Sequence, residues 1–147
     1  MSLFQSFNIN ASGLTAQRFR TDIIAENIAN VNTTRTADGT PYRRQIVTFK
    51  EKDVTDFSNV LNHTRNAAIG NGVKIHTLTE DYESEFIMKY EPSHPDADEN
   101  GYVSYPNVNI VTEMTNLIDA SRSYEANATA FESSKAMMTT GLSIGKN

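Results

Sequence analysis

Ile110, Leu117, Tyr124, Phe131 and Met138 recur every seven residues, with Met114, Ser121, Ala128 and Leu142 interleaved between them. A seven-residue apolar repeat keeps one side of a helix turned toward a partner. The region from Asn109 to the end is therefore expected to be one long helix carrying a coiled-coil seam. Lys135 sits at an inner position, and Ser121 and Ala128 are small, so the seam is weak as an isolated pair and allows close backbone approach. Pro106 and Asn107 or Asn109 mark its start, because proline halts a preceding helix and asparagine accepts from free first-turn amides. Glu113 then falls near the positive end of the helix.

The other end of the chain has a related character. From Leu3 to about Asn32 there is no proline and a single glycine, Gly13, with Leu3, Phe7, Leu14, Ile24, Ile28 and Val31 on one broad helical face. Phe4, Ile9, Phe19 and Ile23 lie off that stripe, and only Arg18, Arg20, Asp22 and Glu26 are charged. A helix solvated on one side usually carries Lys and Glu there, whereas small uncharged polar groups suit a helix contacted on several sides. Burial of these side chains inside one small domain does not offset the entropy of ordering some thirty backbones. Such a helix, roughly 40 to 45 Å long at about 1.5 Å per residue, must project or find partners.

Between the two helices, roughly Thr34 to Pro106, turn and strand signals dominate. Ala37-Asp38-Gly39-Thr40-Pro41 reads as a turn, Tyr42 to Lys50 as a strand, and Asn71-Gly72 as a hairpin-type turn. Val73 to Thr79 alternates as a strand and Phe86 to Tyr90 suggests another, while Asp53 to Ile69 is ambiguous. The expected fold class is α+β: helical segments 1–33 and 107–147 paired in a coiled-coil-like axial domain, and a small β-rich middle domain over 34–106.

Composition excludes several chemistries. The net charge of −5 gives no general attraction for nucleic acid or an anionic membrane, and no apolar run approaches the roughly 20 residues of a membrane span. The first residues lack the basic and apolar regions of a cleavable signal peptide. The chain has no cysteine, so thiolate catalysis, thiolate metal sites and disulfides are absent together. Eight of its 18 acidic residues lie between Glu80 and Glu99 with Lys89 as the sole cation there; that segment is −7, which leaves the rest at +2. Asp96-Ala97-Asp98-Glu99-Asn100-Gly101 opens like a calcium-binding EF-hand loop, but the twelfth position is Asn107, and Pro92 and Pro95 stand where the entering helix should be. His63, His76 and His94 lack metal-ligand spacing, and no phosphate-binding glycine loop or nucleophile elbow occurs. No enzyme activity, cofactor or metal is expected.

Ala11 to Asn32 reads A-S-G-L-T-A-Q-R-F-R-T-D-I-I-A-E-N-I-A-N-V-N, which resembles the N-terminal signature shared by flagellar rod and hook proteins. Val111 to Asn127, V-T-E-M-T-N-L-I-D-A-S-R-S-Y-E-A-N, is similar to the paired C-terminal signature of the same axial family. T-P-Y-R-R-Q at Thr40 to Gln45, and H-P-D-A-D-E-N-G-Y-V followed by Y-P-N-V-N between His94 and Asn109, resemble the proximal-rod members, as does the short length. The resemblance implies a structural subunit of the bacterial flagellar basal-body rod, exported through the flagellar type III apparatus and lying in the periplasmic space beyond the membrane ring. Its implied partners are other rod subunits, copies of itself and the membrane-ring junction protein, with no nucleic acid and no direct membrane insertion. The residues expected at subunit interfaces are Phe7, Leu14, Ile24, Asn27, Ile28, Asn30, Val31, Ile110, Met114, Leu117, Tyr124, Phe131 and Met138. The terminal helices are further expected to gain order when they pack against neighbours.

Overall fold

A computed structural model describes residues 3–52 and 70–144. Helix α1 spans Leu3–Ala29, strands β1 to β4 span Gln45–Glu51, Val73–Glu80, Ile87–Tyr90 and Tyr102–Tyr105, and helix α2 spans Ile110–Ile144. β1 pairs with β2 and β3 with β4, in two separate two-stranded sheets. This is the α+β arrangement of two long helices around a β-containing middle. The ambiguous stretch 53–69 lies outside the described residues. The chain divides into two compact units, one formed by Met1–Phe19, Thr48–His76 and Ala120–Asn147, the other by Arg20–Val47 and Thr77–Asp119.

In the first unit, the rings of Phe7 and Phe131 meet edge to face, with centroids 4.9 Å apart and planes at 82°. Gly13 lies against Asn127 so closely that a Cβ there would come within 2.9 Å of the Asn127 Oδ1. Since the later residue of α1 meets the earlier residue of α2, the two helices run antiparallel here. Ala16, Ala120 and Ser134 are buried, and small side chains of this kind permit a narrow separation of helix axes. The start of β2 docks on α1: Ser12 Oγ donates to the Ile9 carbonyl at 2.7 Å and accepts from the Val73 amide at 3.0 Å. Gly72 takes a positive φ of 87° beside Ser12, where a Cβ would collide with that side chain. Asn71-Gly72 was expected to close a hairpin, and here the structure differs. The connection from β1 to β2 runs from Lys52 to Gly72, and Gly72 faces Lys52 across the ladder, its carbonyl accepting from the Lys52 amide at 2.9 Å. Its backbone freedom serves the close approach to α1.

The second unit is organised by strands and caps. Gly39, with φ of 79°, shapes the turn in which Thr36 N–H donates to the Thr40 carbonyl at 2.8 Å. β3 and β4 are antiparallel, with Ile87 opposite Tyr105 and Tyr90 opposite Tyr102. Because side chains alternate across a strand, Val103 points inward and is fully buried, which contributes about 1.5 to 3 kcal/mol. Gly101 precedes β4 with φ of 82°, and β4 itself was not anticipated. Asn109 caps α2, its Oδ1 accepting from the amides of Val111 at 3.0 Å and Thr112 at 3.2 Å. Asn107, the alternative cap, is instead interior, accepting from the Arg44 amide at 2.9 Å and donating to the Asp81 carbonyl at 3.0 Å.

One line of the expected α2 seam, Leu117, Phe131 and Met138, lies inward, and the line that accompanies it is displaced by one residue. Leu117, Ala128, Phe131 and Met138 are half-buried, whereas Ile110, Met114, Ser121, Tyr124 and Leu142 are exposed. The line that accompanies Leu117 and Phe131 inward is Glu113, Ala120, Asn127 and Ser134. The interleaved line is therefore off by one position, because Glu113 is drawn in by polar partners and the small residues behind it allow close contact.

Candidate assembly site

The largest fully buried side chain among the described residues is a carboxylate, Glu113, at 1% exposure. Its Oε1 accepts from Arg44 Nε at 3.0 Å and Arg44 Nη2 at 2.7 Å, and its Oε2 accepts from Asn27 Nδ2 at 3.1 Å. Asn27, also 1% exposed, uses both ends of its amide. Nδ2 donates in addition to the Gln45 carbonyl at 2.9 Å, while Oδ1 accepts from Tyr42 Oη at 2.9 Å and from the Gln45 amide at 2.8 Å. One helix, the entry to β1 and the first turn of α2 are thus joined through fully paired polar groups, the condition under which burial of polar groups is tolerated. Burial, with Glu26, Glu113 and Glu80 adding to it, pushes the Tyr42 hydroxyl up to about 12.

Asp81 completes the surroundings of Arg44. Its carboxylate accepts from the Ser84 amide and hydroxyl at 3.0 and 2.8 Å and from the Glu83 amide at 3.1 Å, with Arg44 Nη1 at 3.8 Å. These donors, Ser84 foremost, hold Asp81 below the usual carboxylate range. Next to it, Arg43 donates to the Asp81 carbonyl at 2.7 Å and stacks over Phe86 and Tyr82, at 4.3 and 4.6 Å from their ring centroids.

A flanking side of the same first turns of α2 is apolar and open. Val111 is 73% exposed, Met114 and Ile118 54% each, and Ile110 44%. At spacings of three, four and seven residues they form one stripe. Beside it lies a groove of about 280 Å³ lined by Val31, Ile87, Pro106, Val108, Ile110 and Val111. In the first unit, Met137, Leu142 and Ile144 of α2 are 60%, 65% and 73% exposed. Contiguous apolar patches are uncommon on the surfaces of monomeric soluble proteins.

The residues anticipated at subunit interfaces fall into three groups. Ile24 and Asn27 are buried within the chain; Phe7, Leu14, Ile28, Asn30, Val31, Leu117, Phe131 and Met138 are half-buried; Ile110, Met114 and Tyr124 are exposed. Asn30 finishes α1, its Nδ2 donating to the Glu26 carbonyl at 3.0 Å. Val111 and Ile118 escaped notice because they lie off the heptad line, and the interior role of Arg44 and Glu113 has no local sequence signal. Two acids of the EF-hand-like run, Asp96 and Asp98, are occupied by the chain itself. Asp96 accepts from Thr34 Oγ1 and pairs with Arg35, both at 2.8 Å, and Asp98 Oδ1 accepts from the Asn100 and Tyr102 amides at 2.9 and 2.8 Å. Among the described residues no three His, Asp or Glu side chains are grouped to hold a metal ion.

Comparison with known proteins addresses the same two ends. Residues 7–35 match the family model described as flagella basal body rod protein, and residues 99–144 match that of the flagellar basal body rod FlgEFG protein C-terminal region. The chain is 44% identical to the flagellar basal-body rod protein FlgC of Bacillus subtilis, over 99% of this chain and 100% of that one. It is 45% identical to FlgC of Borreliella burgdorferi over 98% of both chains, and 39% identical to FlgC of Escherichia coli over 99% of this chain and 100% of that one. With similarity running end to end and the family models covering both helices, this chain belongs to the FlgC family of flagellar basal-body rod proteins.

Proposed function

We propose that the chain is a subunit of the proximal rod that polymerises through its terminal helices, with 1–33 and 107–147 forming the axial, polymerising part and 34–106 the middle part. The observation that carries this reading is the open stripe of Ile110, Val111, Met114 and Ile118, exposed on the same turns of α2 that bury Glu113. Head-to-tail contacts that do not close into a ring build a helical tube, and one such interface on a long helix suffices. Its partners are copies of itself, other rod subunits and the membrane-ring junction protein. It reaches the periplasmic space beyond the membrane ring through the flagellar type III apparatus; no described helix is long and apolar enough to cross a membrane. It performs no catalysis. The outer turns of both helices gain order on packing against neighbours, which the exposure of Met137, Leu142 and Ile144 favours.

Electron microscopy of basal bodies from a strain lacking this chain tests the reading. The expected particle has a membrane ring and no proximal rod, restored by the intact chain. Basal bodies with a complete proximal rod would overturn it.

A further inference from the structure

The α1–α2 seam is built from residues that specify alignment weakly. The inward line of α2, Glu113, Ala120, Asn127 and Ser134, repeats every seven residues, and three of its four members are small or uncharged. Ala120 is fully buried, Ser134 is 6% exposed, and across from Asn127 stands Gly13. Moving α2 along α1 by one heptad, about 10 Å at 1.5 Å per residue, would bring Ser134 to the place of Asn127 and Ala120 to the place of Glu113. Neither exchange creates a steric clash by size. What the slip destroys is polar: Arg44 and Asn27 would face an alanine methyl where they now meet the Glu113 carboxylate. Slip in the other direction is closed, because β4 ends at Tyr105 and only four residues precede α2.

We infer that Glu113 is the register-determining residue of the helix pair, a positioning residue that fixes where along α1 the helix α2 comes to rest. Burying a charged group among apolar neighbours adds little stability over a well-packed hydrophobe, but it penalises every arrangement in which its partners lose it. A single polar residue at one inner heptad position sets register in this way in coiled coils. Glu113 suits the task because three of the four hydrogen bonds to its carboxylate come from two other elements, Asn27 on α1 and Arg44 at the entry to β1, and the fourth from Asn116 on its own helix. The consequence for assembly rests on the proposed function: the register decides at which height the stripe of Val111, Met114 and Ile118 is presented, and a subunit slipped by a heptad would offer it out of step with its neighbours.

The chain has no cysteine, so alignment can be read by engineered pairs. A Cβ at Gly13 would lie 3.1 Å from the Asn127 Cγ, which is disulfide reach. Two reporters are made in the full chain, Gly13→Cys with Asn127→Cys for the native register and Gly13→Cys with Ser134→Cys for the slipped one. Each is refolded from denaturant and oxidised, and the linked peptides are identified by mass spectrometry. With Glu113 present only the first pair closes. In the Glu113→Ala background, closure of the second pair rises by at least about tenfold, while Glu113→Gln, which keeps an acceptor for Arg44, holds the native pairing. Transplanting the acid, Glu113→Ala with Ala120→Glu, moves closure from position 127 to position 134. Exclusive closure at 127 in both the Ala and the transplanted chains overturns the inference, and so does loss of closure at both positions, which would mean that Glu113 maintains the fold without choosing its alignment. Both readouts use the monomer and are independent of whether a rod forms.

Discussion

Asn27→Ala removes an amide that joins three elements, and its effect can be worked from the bonds. Asn27 makes four: to the Gln45 carbonyl and amide, to Tyr42 Oη and to Glu113 Oε2, all between 2.8 and 3.1 Å. Glu113 retains Arg44, so the groups left without this partner are the Tyr42 hydroxyl and the two backbone groups of Gln45. At 1% exposure the site admits little solvent. Counting about 1 to 1.5 kcal/mol for each of the three gives a loss of about 3 to 4.5 kcal/mol. For a chain of this size that corresponds to a fall in Tm of about 6 to 18 °C. Denaturant unfolding followed by circular dichroism, with scanning calorimetry, measures both. Asn27→Asp makes a useful companion, because it preserves the acceptor for Tyr42 and Gln45 but turns the donor facing Glu113 into a second carboxylate, and it should be no better tolerated at neutral pH. A loss below about 1 kcal/mol for Asn27→Ala, with an unchanged denaturant slope, would refute the view that this amide ties the helix to the strand and to α2.

Three further outcomes follow from the same geometry. Asp81 is held below the ordinary carboxyl value of 3.8 by Ser84 and Glu83 donors, so it contributes stability above its unfolded pKa and loses it as pH falls through the folded one. Asp81→Asn should therefore lower stability by a constant amount between about pH 5 and 8, a gap that narrows below about pH 4 in acid titrations of unfolding. Tyr42, raised from 10.0 to about 12, stays neutral in the fold while the unfolded chain ionises, so stability drops as pH climbs from 10 toward 12, and Tyr42→Phe should flatten that alkaline slope. Gly13→Ala gains helix propensity but crowds Asn127, whose Nδ2 is engaged with the Ser123 carbonyl at 2.8 Å; it should be nearly neutral alone and stabilising by about 1 kcal/mol in an Asn127→Ala background.

Much of the architecture was legible because its determinants are local. Proline and glycine punctuation framed both helices, Asn109 was one of two candidate caps, alternation located β1 and β2, and the run Phe86 to Tyr90 suggested β3. β4 was missed because Tyr102 to Tyr105 is only four residues long and becomes a strand through pairing with Ile87 to Tyr90. One of the two seam lines was misplaced by one position for a reason that apolar periodicity cannot convey: Glu113 turns inward because Arg44 and Asn27 wait for it, 69 and 86 residues away in sequence. The same long-range pairing leaves Val111, Met114 and Ile118 outside, so the open stripe became visible only once the polar node had fixed the rotation of α2.

The central claim is that this outward stripe packs against other subunits. Met114→Asp measures it most directly, since Met114 is 54% exposed and the substitution should leave the isolated chain's Tm unchanged within about 2 °C. Introduced in place of the native chain, the variant is predicted to be expressed and exported but to yield basal bodies without a rod and cells that do not swim. Normal rods and normal swimming with an aspartate at position 114 would contradict the account.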